Sequence, residues 1–326
     1  MLIVRFDFRL GPQSDTTMAE LYSASLDMTE WADANGAVSV LFSQHHSSPD
    51  GYLPSPLVMA AAAAARTSTV SLNVGALLLL MYDPVKLAED MIVLDHLGRG
   101  RVSYTIGLGY RADEYAMFGV DATRRGPLMD ERLDVLRRAL AGERFEWDGR
   151  TVEVTPEPFT PGGPVLAYGG GSPAAARRAA RHGLAFIPQT SDPALAEVYD
   201  AEAERAGHPP GLTLAPPPGA PTSVFVAEDV DRAWDLLGPH LLHDARMYRL
   251  WMAAVGAESA SASGAASVAE LRDERGSYRI VTPAQAVGLV ARDGMLSTQP
   301  LCGGIPPDLA WASLRLIEAE VLPALP

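Results

Sequence analysis

The stretch Thr69–Gly109, TVSLNVGALLLLMYDPVKLAEDMIVLDHLGRGRVSYTIGLG, decides the fold. Its first part, Thr69–Leu80, is apolar without interruption after Asn73, as a parallel strand covered on both faces should be. Asp83 then reads as a helix N-cap, with Pro84 at the first helical position and Gly98 closing the far end. Within that helix Leu87, Met91 and Leu94 recur on one face. Arg101–Leu108 returns as a second strand and ends in Gly107-Leu108-Gly109-Tyr110. Strand, amphipathic helix, strand is the repeating unit of a parallel α/β fold.

The alternation extends outward in both directions. Leu2–Phe8 is an expected strand, Met18–Ala34 a helix, and Ala37–Phe42 a buried strand that empties into Ser43-Gln44-His45-His46. Pro56–Arg66 is an Ala-rich helix suited to close packing. Downstream, a helix is expected around Leu128–Leu140, a strand over Val165–Tyr168, and further strands near Leu184–Ile187, Thr222–Val226 and Met295–Leu301. The final helix, Leu309–Val321, turns Leu309, Leu316, Ile317 and Val321 inward. About eight strand–helix units fit the length, so the expected architecture is a (β/α)8 TIM barrel with loop insertions, one domain over residues 1–326. A hairpin around residues 143–155, turned by Asp148-Gly149, is expected as a decoration on it. Pro216–Pro221 and the Ser/Ala/Gly run Gly256–Ser267 are read as loops, the latter as a mobile insertion.

Composition narrows the function. The chain has 326 residues and a formal net charge of −14, the wrong sign for nucleic acid or an anionic membrane surface. Cys302 is the single cysteine, so neither an internal disulfide nor a cysteine-rich metal site is expected. The N-terminus opens directly into a strand-like run, and the apolar stretch Ala76–Met81 is too short for a bilayer. The expectation is a cytoplasmic protein.

Three places can carry chemistry. Gly169-Gly170-Gly171-Ser172-Pro173 joins a strand to a helix, and its backbone N–H groups make an anion site suited to a cofactor phosphate; the same residues equally make a tight turn. It matches neither a dinucleotide fingerprint nor a P-loop. His45 and His46 follow the second strand, at the end of a barrel strand where active sites form, and histidine there serves as base, acid or donor near neutral pH. No carboxylate or cysteine lies at ligand spacing, which disfavours a metal-dependent hydrolase. Gly107, Gly109 and Tyr110 end the fourth strand, where small residues make room for a planar ring, or simply let the strands pack. Leu77 and Leu78 are core residues by pattern alone.

Taken in order, these segments resemble the bacterial luciferase-like flavin-dependent monooxygenases. Gln44-His45-His46 with Tyr52-Leu53-Pro54-Ser55-Pro56 resembles the family's Glu-His-His segment, and Asp83–Asp90 with Leu94–Arg101 its most typical block. Gly107–Tyr110 with Glu114, Phe118-Gly119 and Arg125, then Gly169–Ser172, then Pro300–Gly304, complete the likeness across nearly the whole chain. The resemblance implies a barrel that takes reduced FMN from a separate flavin reductase and reacts it with O2, and the few charged residues at the strand ends point to a small, largely apolar organic substrate. In other branches it implies the deazaflavin coenzyme F-420 and hydride transfer. By the same likeness His45 lies beside the flavin as the proton-handling residue, with His46 behind it. Leu77 and Leu78 mark a strand bulge under the ring, where some members carry a non-proline cis peptide. Gly107, Gly109, Tyr110, Gly170, Gly171 and Ser172 contact the cofactor, and the protein is a homodimer. Three departures stand out: Gln44 replaces a glutamate, Gly107 replaces luciferase's reactive cysteine, and Leu108 replaces a phosphate-binding arginine, for which Arg177 or Arg178 are candidate substitutes. Gln44 and Leu108 keep open a third reading, a non-catalytic flavin-binding homologue.

Overall fold

A computed structural model describes residues 1–209 and 211–325. In chain order the strands are β1 (Leu2–Phe6), β2 (Ser39–Phe42), β3 (Ser71–Leu78), β4 (Val102–Gly107), β5 (Phe145–Trp147) and β6 (Arg150–Val152). They continue with β7 (Val165–Gly170), β8 (Ala185–Pro188), β9 (Ser223–Val226), β10 (Tyr278–Val281) and β11 (Leu296–Thr298). The helices are α1 (Met18–Ala34), α2 (Pro56–Arg66), α3 (Pro84–Gly98), α4 (Ala112–Met117), α5 (Arg125–Leu140) and α6 (Pro173–Arg181). After them come α7 (Pro193–Arg205), α8 (Val230–Val255), α9 (Val268–Glu274), α10 (Pro283–Asp293) and α11 (Pro307–Leu316). Every strand expected from the sequence is present; β10, a four-residue run between Ser277 and Thr282, is additional. None of the described helices is long and apolar enough to cross a membrane.

The chain forms two compact units: Met1–Leu41, Ser48–Leu53 and Pro217–Pro326 in the first, Phe42–Ser47 and Pro54–Pro216 in the second. In the first, β1 lies between β11 and β2, and pairs with β11 in parallel from Leu2↔Leu296 to Val4↔Thr298. Leu2, Val4 and Phe6 alternate inward, the period-two pattern of a strand. Helix α1 starts at a capping box in which Thr17 Oγ1 accepts from Glu20 N–H and Glu20 Oε2 accepts from Thr17 N–H. β9 and β10 pair in parallel. The segment after α8 is tied down: Ser263 Oγ donates to Glu274, and Tyr278 Oη donates to Ser261 O at 2.9 Å.

This unit also buries a charged cluster with no counterpart in the sequence reading. Arg9 is fully buried, with Nη1 donating to Asp50 Oδ2 at 2.8 Å. Its Nε lies 2.8 Å from Asp244 Oδ1, at ion-pair distance but without hydrogen-bond alignment. Trp251, Tyr52 and Tyr248 box the guanidinium at 4.1, 4.9 and 4.9 Å, a cation–π setting that offsets part of its desolvation. Asp7 joins directly, its Oδ1 accepting Arg9 N–H at 3.4 Å and its Oδ2 lying 3.9 Å from Arg9 Nε, while Gln299 Nε2 donates to Oδ2 at 2.6 Å.

In the second unit the strand order is β3-β4-β7-β8, all parallel. The expected capping of α3 by Asp83 holds: its carboxylate accepts Val85 N–H at 2.9 Å and Lys86 N–H at 3.1 Å. The far end differs from expectation. Arg99, not a glycine, takes the left-handed position (φ 49°), while Gly98 is the last helical residue, bare because a Cβ there would stand 2.6 Å from Val102 Cγ2. The block Asp95–Arg101 is scaffold. Asp95 is buried and accepts from Thr160 N–H and Oγ1 at 2.7 and 2.8 Å, and Arg101 donates to Ala64 O, Thr67 O, Thr67 Oγ1 and Val70 O. The hairpin β5–β6 turns through Asp148 and Gly149, both at positive φ, as a two-residue type I′ turn requires.

Candidate functional site

The C-terminal ends of β3, β4 and β7 come together by register. Leu78 pairs with Gly107, and Ile106 pairs with Tyr168, so Gly107–Gly109 and Gly169–Gly171 leave neighbouring strands at the same edge. The β3–β4 register shifts between Gly75 and Leu77, and a non-proline cis peptide joins Gly75 to Ala76. The irregularity therefore precedes Leu77 and Leu78, whose side chains are buried. Gly107 is bare for a local reason: a Cβ there would stand 2.7 Å from the Ala76 Cβ. Gly109 has φ +82°, a conformation side chains resist.

The turn Ser43–Ser47 sets three polar side chains in the same unit. Gln44 is buried, its Oε1 accepting Leu78 N–H at 2.9 Å. That backbone donor fixes the amide's orientation, so Nε2 donates to His46 Nε2 at 2.7 Å and to Tyr82 Oη at 2.9 Å. A ring nitrogen that accepts carries no proton, so His46 is neutral with its proton on Nδ1. Burial pushes its pKa down; Glu114 opposes this, and His45 and Arg111 add to it. Burial, tempered by the Gln44 bond, pushes Tyr82 up to about 12.

His45 faces the other way. Its Nδ1 is 2.8 Å from Glu114 Oε1, and its Nε2 is 3.1 Å from Tyr110 Oη. Glu114 stands on α4, fully buried, and the same Oε1 accepts the His46 backbone N–H at 2.8 Å. Burial pushes the Glu114 carboxyl up, but the His45 bond and charge, the His46 N–H and the Arg111 guanidinium outweigh it and hold it below the usual carboxylate range. Glu114 is thus ionised at neutral pH and accepts only. Arg111, at the N-cap of α4, donates to His46 O and to Ser47 O, locking the histidine turn onto the β4–α4 connection. Phe118 packs edge-on to the His46 ring at 4.7 Å.

Gly170, Gly171 and Ser172 stand at the β7–α6 junction. Ser172 caps α6, its hydroxyl accepting Ala175 N–H at 3.3 Å, and Gly171 is exposed. Of the two candidate arginines, Arg178 is buried and bound to Asp130, with Nε 2.6 Å from Oδ1 and Nη2 also donating to Gly126 O. Its partner neutralises it, and Arg177 is an exposed helix residue. The histidine cluster contains two groups that sequence reasoning left without a role, Glu114 and Arg111. Their i,i+3 spacing just after the Gly107–Gly109 turn was the available signal.

A sequence profile described as luciferase-like monooxygenase matches residues 4–297. The chain belongs to the luciferase-like monooxygenase family. Limonene 1,2-monooxygenase of Rhodococcus erythropolis is 36% identical over 118 residues, 36% of this chain and 30% of that protein, so the alignment spans under a third of the relative. Among solved structures, the oxygenating constituent of 3,6-diketocamphane monooxygenase from Pseudomonas putida, in complex with FMN, superposes with TM-score 0.70 at 21% identity, covering 98% and 99% of the two chains. An F-420-dependent secondary alcohol dehydrogenase with an F-420–acetone adduct superposes with TM-score 0.62 at 16% identity over 96% and 98%. These likenesses show the fold of this luciferase-like family member to be the (β/α)8 TIM barrel expected from its sequence.

Proposed function

We propose that this protein is a flavin-dependent monooxygenase that uses reduced FMN and O2 on a small, largely apolar organic substrate. The observation that carries the reading is the Glu114–His45–Tyr110 chain, its first two members buried, set at the strand ends beside two glycine-lined turns. The FMN-bound structural neighbour and the limonene monooxygenase likeness support it.

The residues fit the cofactor. Gly107 and Gly109 bring the end of β4 close against Ala76 and Tyr115, and the backbone around Leu77 and Leu78 with Tyr110 would border the flavin ring. Gly170, Gly171 and Ser172, at the start of a nine-residue helix, would hold the phosphate through backbone N–H groups. Reduced FMN supplies the electrons for O2 activation, and the protein supplies orientation, water exclusion and proton handling. His45 holds a proton on Nδ1 against Glu114, and His46, kept neutral by Gln44, braces the turn. Electron supply by a separate flavin reductase, a homodimeric state and a cytoplasmic location are proposed with this reading.

The second reading, F-420-dependent hydride transfer without O2, is favoured by the alcohol dehydrogenase neighbour. Titration of the purified protein with reduced FMN and with reduced F-420, each with and without O2, separates the two. Tight binding of reduced FMN with O2 uptake is the expected result. Binding of F-420 alone moves the protein to the hydride-transfer branch, and binding of neither overturns both.

A further inference from the structure

We propose that Tyr110 is the group that exchanges a proton with the bound ligand, with His45 as its relay and Glu114 as the residue that positions the relay. The proposal rests on the reading that the strand-end cluster is the active site.

The hydrogen-bond directions follow from one another. Glu114 is ionised and can only accept, so the 2.8 Å contact to His45 Nδ1 needs a proton on that nitrogen. In its neutral form His45 then presents a lone pair at Nε2, to which the Tyr110 hydroxyl 3.1 Å away donates. The result is hydroxyl, imidazole and buried carboxylate in sequence, the arrangement that activates a hydroxyl in serine hydrolases, with a phenol in the outer place. Glu114 and His45 are buried, and Tyr110 is half-buried, so the chain has an inner and an outer end. Glu114 is itself pinned by the His46 N–H, and Arg111 holds the carbonyls of His46 and Ser47. The carboxylate cannot turn away without breaking the histidine turn.

The step balances without an oxidant. A proton leaves the ligand's donor atom for Tyr110 Oη while the Tyr110 proton crosses to His45 Nε2. The imidazolium so formed lies against the Glu114 carboxylate, and the reverse passage returns the proton. The charged and titratable groups around His45 include, besides Glu114 and Tyr110, Arg111 from the β4–α4 turn and His46 from its own turn.

The test begins on the unliganded protein, with long-range 15N–1H spectra of the His45 imidazole in wild type, Tyr110→Phe and Glu114→Gln. Wild type is expected to show the Nδ1–H tautomer, Tyr110→Phe to keep that tautomer while the Nε2 resonance moves as its donor is lost, and Glu114→Gln to mix the two tautomers. On the flavin-loaded enzyme, Tyr110→Phe is expected to lower kcat by about 10²-fold or more with KM retained. Glu114→Gln is expected to displace the pH profile of kcat. An unmoved Nε2 resonance in Tyr110→Phe, or wild-type turnover by that variant while His45→Ala is inactive, overturns the proposal and leaves His45 acting directly. Because the spectra need no flavin, a protein that binds no flavin yet shows the predicted couplings would overturn the monooxygenase reading and keep the relay.

Discussion

Gln44 Oε1 accepts the backbone N–H of Leu78 at 2.9 Å, and this one contact decides the protonation of a histidine two residues away. With its oxygen committed to Leu78, the amide can offer only N–H to His46, which must then be neutral and accept. A glutamate at this position would accept from Leu78 equally well but would place a negative charge against the ring. The departure from the family's Glu-His-His pattern is therefore a change in proton inventory.

Gln44→Glu tests this. In wild type the depressed His46 pKa contributes stability that is present above the ordinary imidazole range and is lost as pH falls through it. The variant raises that pKa, so its contribution is present at low pH and lost as pH rises. Relative to wild type, the variant is expected to be more favoured at pH 5 than at pH 8. Urea denaturation at the two pH values, with 15N titration of His46, checks the sign.

The Arg9 cluster predicts a second pH effect. Burial and the Asp244 charge raise Asp7 to about 7, against the opposing pull of Arg9 and Arg5. A carboxyl raised in the folded state contributes stability that is full below about 4, its unfolded range, and lost as pH rises through 7. Asp7→Asn removes the ionisation, so its melting temperature relative to wild type is expected to be higher at pH 8.5 than at pH 5.5. Equal differences at both values would mean that Asp7 does not titrate in this range.

Gly107→Ala puts a methyl group 2.7 Å from Ala76 Cβ at the irregularity in β3. Overpacking of this kind costs about 1–3 kcal/mol. The double variant with Ala76→Gly is expected to recover most of the loss in thermal melts. Failure of that rescue would place the cost elsewhere than at this contact.

Ser172→Ala separates capping from ligand binding. Loss of the hydroxyl that accepts Ala175 N–H is expected to cost about 1 kcal/mol of stability. If Ser172 also contacts the cofactor phosphate, the affinity for reduced FMN falls as well. Unchanged affinity with lowered stability would leave Ser172 as a cap alone.

Much of the scaffold was legible because local chemistry dictates it. Pro56–Arg66 is helical to the residue, Asp83 caps as its spacing predicts, and Asp148-Gly149 turns its hairpin. Strand Tyr278–Val281 was not legible: Arg279 interrupts its four residues so that no apolar run marks them, and pairing with β9 is what makes them a strand. A glycine at a helix end is read for its φ, whereas here Arg99 takes the left-handed position and Gly98 serves the close approach of Val102.

By itself, the sequence determined the alternation of strands and helices, the strand ends at which the histidines and glycines would stand, and the family to which their order belongs. These are consequences of hydrophobic period, capping and turn preference, which act over a few residues at a time. Only the tertiary structure decided that Glu114 reaches back 69 positions to His45, that Arg178 is spent on Asp130, and that Arg9 is closed inside an aromatic box. A buried charge is tolerable only where partners converge on it from distant parts of the chain, and that convergence has no local signature in the sequence.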